Sequence, residues 1–158
     1  MSNTKPIKGD PSVPSARMAI VYSRFNGPIV ERLLAGAIDA LVSKDIEQRA
    51  IEVIEVPGAF EIPLVLEVLA ASGKYDGLIA LGAVIRGETA HFEYVAGECA
   101  RGVADVSRDH AIAVGFGVLT VETEEQALER AGGKEGNKGA EAALTALELM
   151  SLLRKLDK

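Results

Sequence analysis

Residues 81–95 read LGAVIRGETAHFEYV, an apolar run followed by a corner at Gly87 and then by His91. A glycine at such a corner admits a tight turn. The amides of Glu88 and Thr89, ahead of a helix start, are free to face an anion, and the helix dipole adds attraction. Gly87, Glu88 and Thr89 are therefore a candidate phosphate seat. His91 carries an imidazole whose ordinary pKa of about 6.5 lets it give and take protons near neutrality. The same residues also fit a plain strand-to-helix turn and an exposed helix histidine, and the motif alone does not choose between the two.

Other corners carry further candidates. Phe25 in SRFN (23–26) and Phe60 in VPGAFE (56–61) are aromatic where loops favour polar side chains; a planar ligand stacked on the rings accounts for them, and so does a role as core staples. Glu61 can accept hydrogen bonds from sugar or polyol hydroxyls, or be a helix-start carboxylate favoured by the dipole. Arg130 and Lys138 flank RAGGKEGNKG (130–139), where two cations can neutralise a phosphate or a developing oxyanion, and where basic surface residues at helix ends are equally ordinary. GNKG lacks the G-x-x-x-x-G-K-[ST] order of a nucleotide P-loop, which argues against ATP or GTP hydrolysis. Cys99 is the only cysteine and shares no metal-ligand spacing with His91 or His110, so neither a disulfide framework nor a structural metal is expected.

These corners need a scaffold, and the apolar pattern supplies one. RMAIVYS, RAIEVIEV, GLIALGAVI and AIAVGFGVLT read as strands. Between them run helical patterns: Ile29, Val30, Leu33, Leu34, Ala37, Ile38, Leu41 and Val42; then Leu64, Val65, Val68 and Leu69, with Pro63 in the first turn; then Phe92, Val95, Cys99, Val103 and Val106. Thr123 with Gln126 predicts a capping box, the Gly132 and Gly133 pair a helix stop, and Ala140–Leu156 the last helix. The alternation predicts an α/β fold with a four-stranded parallel sheet flanked by helices, whose ligands bind outside the carboxyl ends of the strands. With 158 residues, 48% of them apolar, one domain is expected over 17–158 after a flexible N-terminal segment, 1–16. A net charge of −6 argues against nucleic acid or an anionic membrane as partner. Neither a secretory signal nor a membrane span is evident, so a soluble cytoplasmic protein is expected.

SRFN, LLAGAIDAL, VPGAFEIP, LGAVIRGETAHFEYV and FGVLTVETEEQALERAGGKEGNKGAEAA occur in the order and at the spacing of the lumazine synthase family, which the chain resembles from Ala19 to Leu153. The resemblance implies a three-layer, flavodoxin-like sandwich, with an N-terminal segment able to add a strand to a neighbouring subunit's sheet. It implies condensation of 5-amino-6-(D-ribitylamino)uracil with 3,4-dihydroxy-2-butanone 4-phosphate to 6,7-dimethyl-8-ribityllumazine, phosphate and water, the penultimate step of riboflavin biosynthesis. No metal and no organic cofactor are implied.

By the same resemblance His91 is the proton shuttle, and Arg130 with the backbone at Gly87, Glu88 and Thr89 holds the phosphate. Phe25 stacks on the pyrimidine, Ala59, Phe60 and Glu61 meet the ribityl chain, and Val84 and Ile85 offer backbone contacts to the ring. Lys138 adds charge near the reacting centre. Phe116, Arg130 and Lys138 reach the pocket from the neighbouring subunit. The implied assembly is a homopentamer with the helix after His91 lining its axis, extended by the short 130–139 connection to a shell of about sixty subunits; riboflavin synthase is the implied partner that consumes the product. Glu93 stands where Asp is commoner and Ala90 where Thr or Pro is, and the 111–120 strand lacks a preceding proline; none of these removes an assigned group. A ligand-retaining module, a bare shell protein and an unrelated FMN binder are the competing classes. The joint presence of His91, Arg130 and Lys138 favours the enzyme over the first, catalysis by purified protein separates it from the second, and the absence of a phosphate cradle after the first strand argues against the third.

Overall fold

In the computed structural model, which describes residues 4–157, the central strand is the apolar run of the opening motif. β1 (Met18–Ser23), β2 (Ile51–Val56), β3 (Gly77–Ile85) and β4 (Ala113–Val121) form one parallel sheet in the order β2-β1-β3-β4. β3 is buried on both faces over nearly its whole length, which is why its sequence is unbroken in apolar residues rather than alternating. β2 and β4 are the edges. Parallel neighbours need long crossovers, and helices supply them.

One face is covered by α1 (Gly27–Ser43) and α5 (Lys138–Leu156), the other by α2 (Ile62–Ser72) and α3 (His91–His110). Each face has its own core. Met18, Ile20, Leu33, Leu41, Ile79 and Leu147 anchor the first, and Val21, Ile62, Leu66, Leu78, Cys99 and Val103 the second. On the first face the layers come very close: a Cβ at Gly115 would run into the backbone of Ala142, and one at Gly139 into that of Leu33. The three-layer α/β sandwich expected from the sequence is the one observed.

Local chemistry sets the ends. Pro63 sits in the first turn of α2, where its missing N–H costs nothing. Thr123 and Gln126 form the reciprocal capping box that opens α4 (Glu124–Glu129). The glycine pair does not end that helix, however. α4 stops at Glu129, and Gly132 and Gly133 belong to β5 (Ala131–Gly133), which pairs antiparallel with β6 (Gly136–Asn137). Gly132 and Gly136 have φ of 100° and 82°, so the hairpin uses left-handed positions that other residues avoid. α5 starts at Lys138 rather than Ala140, because the Asn137 side chain accepts the Ala140 amide at 3.0 Å.

Two expected apolar stripes behave differently from one another. On α3, Phe92, Cys99, Val103 and Val106 are buried within the chain, so its exposed face carries Tyr94, Glu98, Arg101, Asp105 and Arg108 instead. On α2 the buried residues are Ile62 and Leu66, while Leu64 and Val68 are 71% and 62% exposed. Part of the N-terminal segment lies along α5: the Asp10 amide donates to Ser151 Oγ at 3.0 Å, and Val13 and Ala16 are buried. Residues 1–3 of that segment and residue 158 lie outside the described residues. No helix among the described residues is long and apolar enough to cross a membrane.

Candidate active site

The carboxyl ends of β1, β2 and β3 open into a cleft of about 680 Å³, a size suited to a small organic ligand. Its first wall is the corner after β1. There the Arg24 and Phe25 amides donate to the carbonyls of Val56 and Pro57 at 2.8 and 3.1 Å, which carries the β1–β2 pairing past the strands. Asn26 then adopts a left-handed conformation with φ 61°, and its side-chain amide donates to the Ala83 carbonyl at 2.8 Å. The corner is thereby tied to both neighbouring strands, and Phe25 projects from it 71% exposed. Behind it Tyr22 donates to Glu55 at 2.9 Å; that hydrogen bond first, and burial second, raise the phenol above its ordinary value.

A short helical turn over Ala59–Glu61 leads from the second corner into α2 and forms the next wall. It buries Ala59, leaves Phe60 56% exposed and sets Glu61 half-buried at the cleft. Two large aromatic rings thus stand in water at the rim of one cavity. The floor is the end of β3, with Val84 buried and Ile85 half-buried. Gly87, Thr89 and His91 close the cleft at the start of α3. Among the described residues, no protein group accepts the amides of Gly87, Glu88 or Thr89, as a phosphate seat requires.

Gly87 needs a different explanation from the tight turn the sequence suggested. Its φ is not left-handed, and a Cβ built there meets nothing within 4 Å. The chain itself has room for a side chain, so its own packing does not call for glycine there. Glu88 is exposed and does not line the cavity.

Three expected residues are elsewhere. Arg130 and Lys138 come together at the base of the β5–β6 hairpin, where the Lys138 amide donates to the Arg130 carbonyl at 2.9 Å. That hairpin packs with α1, α4 and α5, on the sheet face opposite to α2 and α3. Arg130 donates to the Gln126 carbonyl at 3.0 Å and Lys138 pairs with Glu141 at 3.2 Å. Phe116 lies on β4 with its ring 45% exposed at the sheet edge. No Lys or Arg lines the cleft among the described residues. The chain therefore assembles the aromatic, carboxylate, amide and imidazole groups into one cavity and holds its candidate phosphate cations on another surface.

Pro57, Gly58, Phe92, Tyr94 and Val95 also line the cavity, and sequence reasoning did not assign them there. Helical spacing was the available signal for Tyr94 and Val95, which lie three and four positions after His91 on the same helix face. Phe92 was read as core, and it is both: buried, and with its ring 4.5 Å beneath the Arg86 guanidinium. The hydrogen bond to Glu122 is the main cause holding that guanidinium above its ordinary value. Cys99 is remote from this chemistry. Burial pushes its thiol up to about 11, so it is neither a thiolate nor a nucleophile at neutral pH. Among the described residues no cluster of His, Cys, Asp or Glu could hold a metal ion.

The family model for 6,7-dimethyl-8-ribityllumazine synthase matches residues 15–154. The 6,7-dimethyl-8-ribityllumazine synthase of Edwardsiella ictaluri (strain 93-146) is 56% identical over 153 residues, covering 96% of this chain and 98% of that protein. Matches of that extent take in the cleft, the hairpin and both faces of the sheet, and the chain belongs to the 6,7-dimethyl-8-ribityllumazine synthase family.

Proposed function

We propose that the chain catalyses the condensation of 5-amino-6-(D-ribitylamino)uracil with 3,4-dihydroxy-2-butanone 4-phosphate to 6,7-dimethyl-8-ribityllumazine, the penultimate step of riboflavin biosynthesis in the cytoplasm. The observation that carries this reading is the cleft itself, in which two exposed rings, a half-buried carboxylate, unpaired amides and an imidazole meet. Phe25 stacks on the pyrimidine, and Phe60 with Glu61 and the backbone at Ala59 meets the ribityl hydroxyls. The ring heteroatoms bond to the backbone at Val84 and Ile85. Gly87, Glu88 and Thr89 offer amides to the phosphate.

The primary amine of the pyrimidine attacks the ketone and water leaves as the imine forms. The imine shifts to its enamine, phosphate leaves from C4, and the resulting C3 enol tautomerises to the second carbonyl, on which the ribitylamino nitrogen closes the ring with loss of another water. Each step moves a proton, and His91 carries it. Holding two substrates in reacting geometry can supply roughly 7–11 kcal/mol, whereas acid–base help contributes a smaller factor of about 10²–10⁴. Orientation by the cleft is thus the larger part of catalysis, and His91 the smaller.

A phosphate dianion in a cleft without a basic side chain is incompletely neutralised. This supports a site completed by a second copy of the chain, whose Arg130, Lys138 and Phe116 close it. The stripe Phe60, Leu64 and Val68, spaced four apart from the Ala59–Glu61 turn into α2 and 56, 71 and 62% exposed, supports the same assembly, because a helix apolar on both sides needs two partners. A homopentamer is the smallest assembly proposed, and the short 130–139 connection supports a larger shell. Riboflavin synthase is the proposed consumer of the product. The test mixes purified protein with both substrates and follows the fluorescent lumazine against a protein-free control. Product well above the spontaneous rate is expected; no excess rate with ligand binding intact would reduce the chain to a binding or shell protein.

A further inference from the structure

Arg86 follows the last residue of β3 and is not among the residues that line the cleft. Its guanidinium is nevertheless the most connected charged group near the cleft. Nε pairs with Glu122 at 2.8 Å, Nη1 pairs with Glu93 at 3.5 Å, and the guanidinium carbon lies 4.5 Å from the centre of the Phe92 ring. Its own amide donates to the Val121 carbonyl at 2.9 Å. These contacts join three pieces of chain: the end of β3, the first turn of α3, and the segment between β4 and α4.

The far anchor is firm. Glu122 precedes the Thr123–Gln126 capping box, and its amide donates to the Gln126 side chain at 2.7 Å. The near side is weakly held otherwise. α3 has no side-chain cap at Ala90, and among the described residues the turn ahead of it is tied by the Glu93 amide on the Ala90 carbonyl at 3.0 Å and the His91 amide on Thr89 Oγ1 at 3.4 Å. His91 sits in that turn, directly before Phe92 and Glu93, the two residues Arg86 grips.

We propose that Arg86 is a positioning residue: it braces the turn between β3 and α3 from outside the cleft and so sets His91 against the reacting atoms. One exposed ion pair is worth little, but a planar guanidinium that engages two carboxylates and an aromatic face with one rigid group fixes direction as well as distance. Lysine, a point charge on a flexible stem, cannot satisfy all three contacts together. The inference rests on the reaction assigned above, since it names what that site needs to hold its imidazole.

Arg86→Met keeps the stem and removes the fork. It is expected to lower kcat about tenfold, within the range that small misplacement of a reacting group produces, with KM for the pyrimidine changed by less than about twofold. In a His91→Ala background the same substitution is expected to cost less than about twofold, because the group it positions is gone. Equal penalties in both backgrounds, or no penalty in either, overturn the proposal. Glu93→Gln, which leaves the Glu122 pair in place, is the milder second variant if Arg86→Met folds poorly, and about a threefold fall in kcat that disappears in the His91→Ala background is expected. Hydrogen exchange over residues 86–95 separates the two levels of the reasoning. Faster exchange in that segment of Arg86→Met alone, with the Arg108→Met control unchanged, is expected, and exchange like wild type overturns the brace whatever the turnover. Faster exchange in a protein whose wild type makes no lumazine would sink the reaction assigned above and still support the brace.

Discussion

The separation of the cleft from the Arg130–Lys138 hairpin makes a quantitative demand on mixed assemblies. If His91 acts in the cleft of one chain while Arg130 arrives from the next, His91→Ala and Arg130→Ala each damage every site of a uniform assembly. In a co-assembled mixture, a site regains both groups when an Arg130→Ala chain supplies the cleft and a His91→Ala chain supplies the hairpin. Around a ring with one kind of head-to-tail interface, an equal mixture meets that condition at about half times half, or about a quarter, of its sites. The backgrounds are low enough for the quarter to be seen. Loss of a proton carrier costs about 10²–10⁴-fold, so uniform His91→Ala is expected at or below about 1% of wild type yet above the spontaneous rate. Arg130→Ala is expected to raise KM for the butanone phosphate, because a charge-assisted contact to that dianion is gone. The assay co-expresses the two variants in equal amounts and measures turnover with the butanone phosphate limiting. Recovery toward a quarter of wild type is expected. Turnover no greater than the mean of the two uniform variants would refute the shared site, and an unchanged KM in Arg130→Ala would remove Arg130 from it.

Two further predictions concern the scaffold. Gly139→Ala drives a methyl into the backbone of Leu33 where α1 crosses α5, and is expected to destabilise by about 1–3 kcal/mol, lowering Tm by about 2–10 °C; an unchanged melt would mean the helices separate at no cost. Cys99, raised by burial to about 11 from its ordinary 9.0, keeps its proton in the folded chain after the unfolded one has lost it. The native state then binds more protons between these values, so this contribution is complete below about 9 and falls by about 2–3 kcal/mol as pH rises through about 11. Urea denaturation of wild type and Cys99→Ala at pH 8.5 and pH 10.5 checks it, with parallel losses in the two proteins counting against the assignment.

What was legible in the sequence is what local physics determines. β3 was readable because a strand covered on both faces is apolar throughout, and the α4 start because the capping box is a reciprocal pair at fixed spacing. Phe25 and Phe60 were readable because large rings in polar corners are a mismatch that burial within the chain does not resolve. Where the sequence misled, a non-local partner decided. The glycines at 132 and 133 suggest a helix stop, but the hairpin with Gly136 and Asn137 uses them. Gly87 suggests a tight turn, but its φ is not left-handed and its backbone lines the cleft.

The deepest illegibility lies in the apolar pattern itself, which does not say whose core a residue joins. Phe92, Cys99, Val103 and Val106 form an apolar stripe on α3, a helix that the family resemblance sets at the axis of a pentamer, and they are buried in their own chain; Leu64 and Val68 on α2 have the same helical spacing and are left in water. The difference arises because α2 is apolar nearly all round, and the sheet can bury only one side of it. The surplus side continues through Phe60 to the rim of the cleft, so a second chain that covered it would lie next to that cavity. Under the assembly proposed above, the uncovered stripe and the absence of a basic side chain from the cleft have one explanation: the face that would take the neighbour borders the cavity that holds no cation. A variant with Leu64 and Val68 both changed to Gln is accordingly expected to lower assembly and turnover together, while the isolated fold, whose core holds Ile62 and Leu66 instead, keeps its far-UV circular dichroism. Loss of assembly with full turnover would show that one chain suffices for the chemistry.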